Sequence, residues 1–324
     1  MVYKVSIIVP IYNAEKYIKK CSMSLFEQDF ASIEYIFVDD GSPDNSVQRL
    51  EDVIGAYPNR KEDIKIVRNA SNLGSGATRG VGMKYATGEY VIQIDADDWV
   101  EPNMIRLLYQ KAKDEQADIV CCDYYLEFMN HHRSVSFTLP IDKNAMVNVF
   151  NVMPHYMNYF WNKLVRRELY IKNNVSFPSG ISLCDDLYVT FKLVFLANKV
   201  VQVNQPLYHY NQLNIHSITS NHTLKSFEDK LIVNNEIILF LQQQGADKEY
   251  QNLIHFYKIY SKLLLILNKN MRDDTLWRDT YPESNTYIWQ VPLRFDYKVL
   301  SWLCSKRQFK AAYLLQDIKS VFKN

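Results

Sequence analysis

Along the first third of the chain, short apolar runs alternate with stretches of helical periodicity. "VSIIVP", "YIFVDD", "IKIVRN" and "YVIQIDADD" read as strands, rich in β-branched and aromatic residues and closed by turn residues. Helical spacing follows each of them: from Glu15, after Pro43, around Thr78, and from Pro102. A further strand, "ADIVCCDYY", comes next. Repeated βα units predict an α/β fold with a mainly parallel sheet covered by helices on both faces. Residues 126–212 mix aromatics with polar loops and predict two helices, Trp161 to Tyr170 and Asp186 to Ala197. After Asn221 the pattern is almost wholly helical, so the expected organisation is an α/β domain over 1–220, in two halves meeting at 117/118, and a helical region over 221–324.

In a parallel sheet the carboxyl ends of the strands share one rim, where open α/β sheets bind ligands. Pro10 with Tyr12 and Asn13, Asp39 with Asp40, Arg68 with Asn69, and Asp95 with Asp97 and Asp98 all lie just past strand ends. Residues scattered over almost the first hundred positions are thus expected to converge. Three carboxylates so close together repel one another and are costly to desolvate, which calls for a positive group beside them. Hard oxygen ligands without neighbouring His or Cys suit Mg²⁺ or Mn²⁺, ions that keep water and bind through one or two carboxylates plus substrate phosphates. The acidic segment therefore reads as a metal–diphosphate platform. Helix capping is the competing account: Pro102 suits a first helical position, and the dipole favours an acid before it. Capping covers Glu101 and Asp98 and leaves Asp95 and Asp97 unexplained.

Composition narrows the classes. The 324 residues are 48% hydrophobic and 23% charged, which predicts an ordered globular protein with a sizeable core. Lys plus Arg (37) nearly balance Asp plus Glu (36), so there is no global field to draw in nucleic acid. The five cysteines lack paired metal-ligand spacing and read as packing thiols in a reducing compartment. The N-terminal stretch lacks a secretory pattern, and no apolar run approaches the length of a membrane span. The expectation is a cytoplasmic protein, soluble or peripheral on the cytoplasmic membrane face. "NLGSGATRG" has no GK[ST] and lies outside the first βα unit, which excludes a P-loop and disfavours a nicotinamide dinucleotide fold.

Four segments, "VSIIVPIYNAEKYI", "YIFVDDGSPDNS", "NLGSGATRGVGMKYATGEYVIQIDADD" and "CDDLYVTFKL", together resemble the family 2 glycosyltransferases of bacterial polysaccharide and glycolipid synthesis. The resemblance covers roughly residues 1–215 and implies the GT-A fold and a nucleotide-diphospho-sugar donor. It makes 1–117 the nucleotide-sugar half and 118–220 the acceptor-side half. It implies that Asp40 accepts a hydrogen bond from the base, as a carboxylate can from uracil N3–H, with Asp39 orienting it or binding the ribose. Pro10, Tyr12 and Glu15 would line the base pocket, although packing accounts for Tyr12 equally well. Arg79 would face the diphosphate, while Gly80 stands where an Asn is usual. Asp95, with Ala96, falls near the ribose, Asp97 on Mn²⁺ or Mg²⁺, and Asp98 as a further ligand or a support.

A base must also take a proton from the acceptor hydroxyl. In "GISLCDDLYVTF" the residues alone fit a helix cap and a base equally well. The resemblance favours Asp186 as the base, with Asp185 replacing the usual Glu beside the acceptor or sugar. One base without a second nucleophilic carboxylate implies inversion at the anomeric carbon. Trp161 and Lys163 suit either a sugar contact or the core. Relatives carry a Tyr-Arg stretch over the diphosphate; here Asn211 and Gln212 remove that cation, and His209 or His216 would substitute. The basic amphipathic tail "DYKVLSWLCSKRQFKAAYLLQDIKSVFKN" suits an anionic membrane surface, a partner or self-association, or simple packing with its lysines outward. The expected function is metal-assisted, inverting transfer of a sugar, from a UDP-sugar by preference, to a glycan or lipid-linked acceptor. The alternative is a catalytically weak sugar-nucleotide-binding or scaffold protein acting through its helical region.

Overall fold

A computed structural model of the protein describes residues 3–140, 158–181, 184–214 and 223–321. The chain forms two compact units, residues 1–147 with 155–217 and residues 148–154 with 218–324. The first is built on strands β1 (Val5–Ile11), β2 (Ile33–Asp39), β3 (Ile64–Arg68) and β4 (Tyr90–Gln93), with β5 (Trp99–Val100), β6 (Ile119–Glu127), β7 (His132–Val135), β8 (Lys163–Arg166) and β9 (Val200–Asn211). Helices α1 (Ile18–Phe26), α2 (Ser46–Ala56), α3 (Ser75–Tyr85) and α4 (Met104–Asp114) follow the four expected strands. Alternation along β1 explains the layering, because successive strand residues point to opposite faces. Ile7, Val9 and Ile11 join Ile18 and Leu25 of α1, Leu50 of α2 and Leu108 of α4 on one face. Ile8, Ile36, Val38 and Val91 meet Val81 and Met83 on the other. Gly82 lets α3 lie this close, since a Cβ there would collide with Ile8 Cγ2.

Strand order is β3-β2-β1-β4-β8-β6-β9-β5, with β7 on β6. The β3-β2-β1-β4 portion is parallel. Beyond it the sheet is mixed, which corrects the mainly parallel expectation: β8 runs antiparallel to β4 and β6, while β9 is parallel to β6 and antiparallel to β5. Parallel neighbours need long crossovers, whereas β6 turns straight back into β7 as a hairpin. The expected helix Trp161 to Tyr170 is also corrected. Lys163, Leu164 and Val165 pair with Cys121, Val120 and Ile119, and only Arg167–Lys172 (α5) is helical. Four residues are too few for periodicity to separate strand from helix. The second expected helix is α6 (Asp185–Leu196).

The second unit is helical, with α7 (Leu224–Gln243), α8 (Gln251–Lys262), α9 (Leu264–Leu267), α10 (Asp274–Asp279), α11 (Phe295–Ser305) and α12 (Phe309–Val321). Thr223 and Ser226 close α7 with a reciprocal capping box. Asn234 ties α7 to α8 by donating to Tyr257 O and Ser261 Oγ. Lys262 is buried with Nζ 3.7 Å from the centre of the Trp277 ring, and Phe309 of α12 packs edge-on against the same indole. Among the described residues, no helix is long and apolar enough to cross a membrane.

Candidate active site

The parallel register places Ile11, Asp39 and Arg68 side by side at one rim. Asp40 N–H donates to Ile11 O, and Asn69 N–H to Asp39 O, so the paired acids leave the sheet already fixed. Asp40 is buried and engaged on both oxygens. Oδ1 accepts from Asn69 Nδ2 (2.8 Å) and Leu73 N (2.9 Å), and Oδ2 accepts from Gly74 N (2.9 Å). It therefore pins the loop that opens α3, where Gly74 adopts φ +87, a conformation that favours glycine. Asp39, also buried, accepts from Ser42 N through Oδ1. Pro10 sits half-buried opposite Val38, and Tyr12 is 52% exposed just past the strand. Glu15 turns away to Asn45 and Arg49 at the start of α2.

The acidic turn after β4 is held from β9. Asp98 is buried; its Oδ2 accepts from the Tyr208 hydroxyl (2.6 Å) and its Oδ1 from Asn211 N (2.8 Å). Asp95 N–H donates to the same Tyr208 oxygen, while Asn211 Nδ2 donates to Asp97 O. Asp97 is half-buried, and its Oδ2 accepts from Asn214 Nδ2 at 2.8 Å. Burial first, and then the neighbouring Asp95, push the Asp97 carboxyl above its ordinary range. Asp98 is pushed further, by burial and then by Asp97 and Asp95. Ala96 between them is buried. Removing the Tyr208 hydroxyl takes the donor from buried Asp98 and the acceptor from the half-buried Asp95 N–H, so Tyr208→Phe is expected to cost about 1–3 kcal/mol of stability. Urea unfolding measures this, and an unshifted midpoint would mean that the hydroxyl holds nothing.

Arg79 projects from α3 under this turn. It is buried, ion-paired to Asp95 through Nη2, and packed over Phe160 with 5.3 Å between guanidinium and ring centre. Its Nε and Nη1 have no hydrogen-bond partner among the described residues. Asp185 and Asp186 open α6 after Cys184, which takes a left-handed φ of 67, and no side chain caps this helix. Asp185 Oδ2 accepts from Ser75 Oγ at 3.0 Å, joining the two helix starts. Asp186 Oδ1 accepts from Leu187 N, and burial followed by the Asp185 charge pushes its carboxyl up to about 7. Burial also raises Asp185, against the pull of Arg79. The charges of Arg79 and Asp95 both reach this pair, so the two sides of the site are electrostatically one.

The glycosyl transferase family 2 model matches residues 6–173. The chain belongs to the family 2 glycosyltransferases. EpsH of Bacillus subtilis (strain 168), named as a glycosyltransferase, is 31% identical over 278 residues, covering 82% of this chain and 77% of EpsH. The cholesterol galactosyltransferase of Borreliella burgdorferi is 30% identical over 295 residues, covering 85% and 80%. Residues 1–349 of S. aureus TarS, solved with UDP-GlcNAc, superpose with a TM-score of 0.71 over 97% of this chain and 90% of that one. At 20% identity that likeness shows the shared fold. The protein is accordingly a GT-A enzyme that transfers a sugar from a nucleotide-sugar to a glycan or glycolipid acceptor with inversion.

Not every expected residue reaches the glycosyltransferase's rim. Trp161 is buried in an aromatic stack, 4.4 Å from Tyr208 and 4.6 Å from Tyr159 between ring centres. Lys163 is buried as well, donating to Tyr159 O and Asn162 Oδ1, and burial lowers its pKa. His209 is held between Glu127 (2.7 Å) and Glu101 (2.8 Å), with Trp99 and Tyr125 stacked on it, so it braces β5 against β6 and β9. The sugar or diphosphate roles expected for these three give way to packing and bracing. His216 lies outside the described residues. Tyr208, Asn214 and Ser75 were not singled out in the sequence, and Asn211 read there only as a lost cation. The available signal was strand alternation, which turns Tyr208 inward and His209 to the other face.

Proposed function

We propose that the enzyme uses a UDP-sugar and that Asp186 takes the proton from the acceptor hydroxyl as the nucleoside diphosphate leaves. The supporting observation is a carboxyl whose pKa stands at about 7, beside the Arg79–Asp95 pair and at a helix start. Such a group is about half deprotonated at neutral pH, so a ready fraction is free base and accepts a proton with little driving-force penalty. Asp185, fixed by Ser75, steers the acceptor or sugar. The two unsatisfied Arg79 donors suit the diphosphate. Catalysis belongs to residues 1–220 and works where nucleotide-sugars are made, in the cytoplasm.

For the base, Asp39 replaces Asp40. Asp40 spends both oxygens on the loop before α3, whereas Asp39 has one oxygen on Ser42 and the other left for an imide N–H. Asp39→Asn is expected to weaken UDP binding roughly 10–100-fold with the melting temperature kept, the range of a hydrogen bond to a charged group. Asp40→Asn should instead lower the melting temperature. Calorimetric titration with UDP separates the two, and equal UDP affinity in wild type and Asp39→Asn would return the role to Asp40.

A divalent cation fits the acidic turn, because burial and mutual repulsion raise Asp97 and Asp98 and one arginine cannot neutralise the turn. Asp97, half-buried, would hold it together with donor phosphates. Asp98, with both oxygens taken by Tyr208 and Asn211, supports the turn rather than binding the ion. When bound, the ion neutralises charge on the departing diphosphate. Assay of a nucleotide-sugar panel with Mn²⁺ and mixed glycan and lipid acceptors tests the reading. UDP binding without turnover on any acceptor would favour the scaffold alternative.

A further inference from the structure

The helical unit exposes large apolar side chains that its own packing does not use. Phe295 is 75% exposed, Leu314 63%, Trp289 50%, Ile318 48%, Leu315 43% and Trp302 38%. Phe295 and Trp302, seven residues apart, share one face of α11, and the Trp289 ring lies 6.2 Å from Phe295. Leu314 and Ile318 share the face of α12 opposite its buried Phe309 and Ala312, and exposed Leu315 flanks it. Charge on these elements is one-sided. Asp296 is paired with Arg294 and Lys319, and Asp317 with Arg272 and Lys269. Lys298, Lys306, Arg307 and Lys310 have no carboxylate partner among the described residues.

We propose that α11 and α12, with Trp289, dock on an anionic lipid bilayer. Aromatic rings beside cations that lack carboxylate partners, Lys298 holding only the Trp289 carbonyl, match the bilayer interface, where rings enter the headgroup boundary and cations meet lipid phosphates. A second copy is the poorer occupant, because a symmetric interface would set the same uncompensated cations against each other. Docking is independent of the donor chemistry and acts on where the enzyme finds its acceptor.

Co-flotation of the intact chain with lipid vesicles tests this, with UDP affinity and melting temperature checking the fold. The expected result is at least about tenfold stronger partition onto phosphatidylglycerol-containing vesicles than onto pure phosphatidylcholine, weakening with salt. Changing Lys298, Lys306, Arg307 and Lys310 together to Gln should erase that preference. Phe295→Ser with Trp302→Ser should reduce partition about tenfold on the anionic vesicles. Three results would overturn the proposal: equal partition onto both vesicle types, no partition, or a dimer abolished by Phe295→Ser/Trp302→Ser in a protein that ignores vesicles. Capture of an acidic protein without vesicle binding would overturn it too.

Discussion

Asp186→Asn is expected to lower the transfer rate by roughly 10²–10⁴-fold, the contribution of a positioned base, while UDP binds as it does to wild type. Asn keeps the shape and the contact with Leu187 N but cannot take the proton. The pH profile gives a second readout. A base must be deprotonated, and burial beside Asp185 has pushed this carboxyl up to about 7. Wild-type rate should therefore climb with pH below about 7 and level off above it. In the Asn variant the residual rate should lose that rising limb. Steady-state kinetics from acid to mildly alkaline pH measure both, and a variant that keeps wild-type kcat, or keeps the limb, removes Asp186 from the role.

The second large effect lies across the site. Asp97→Ala is expected to cost about 10²–10³-fold in kcat/KM at the Mn²⁺ concentration that just saturates the wild type, consistent with the several kcal/mol that metal neutralisation contributes. Raising Mn²⁺ should recover part of the loss, because donor phosphates still offer ligands. Tyr208→Phe should move the Mn²⁺ dependence in the same direction but far less, since it loosens the turn and leaves the Asp97 carboxylate in place. Metal titrations of the three proteins order them. Full activity of Asp97→Ala after chelation and without added metal would show that no cation works at this position.

The strand–helix order and the rim were legible because parallel βα units have strong periodicity and put polar residues at strand ends. Asp95 and Asp97 stand out from their place just past a strand end, whereas Arg79, Asp185 and Asp186 lie on helices and are picked out by the family resemblance. What stayed hidden depends on pairing between distant segments. Tyr208 and Asn211 reach the acidic turn only because β9 lies beside β5, more than a hundred positions away in sequence, and no local pattern encodes that register. Asp39 and Asp40 look interchangeable as text. A backbone loop, with Leu73 and Gly74 amides aimed at one of them, tells them apart. The stretch from Trp161 to Tyr170 reads as one helix because the strand inside it, Lys163–Arg166, is too short for its period to show.

The raised carboxyl at Asp186 also sets activity against durability. With its folded pKa above the unfolded value, its stabilising contribution is complete below about pH 4 and is lost as pH rises through about 7. At the pH where Asp186 is a competent base, the fold carries a poorly solvated carboxylate and, after that, its repulsion with Asp185. Asn at 186 removes that repulsion, so the inactive protein should melt roughly a few degrees higher than the active one at neutral pH. Selection for heat resistance alone would then drift toward silent enzymes at this position. The same variant, sturdy and stalled, is the form in which donor and acceptor could be trapped together.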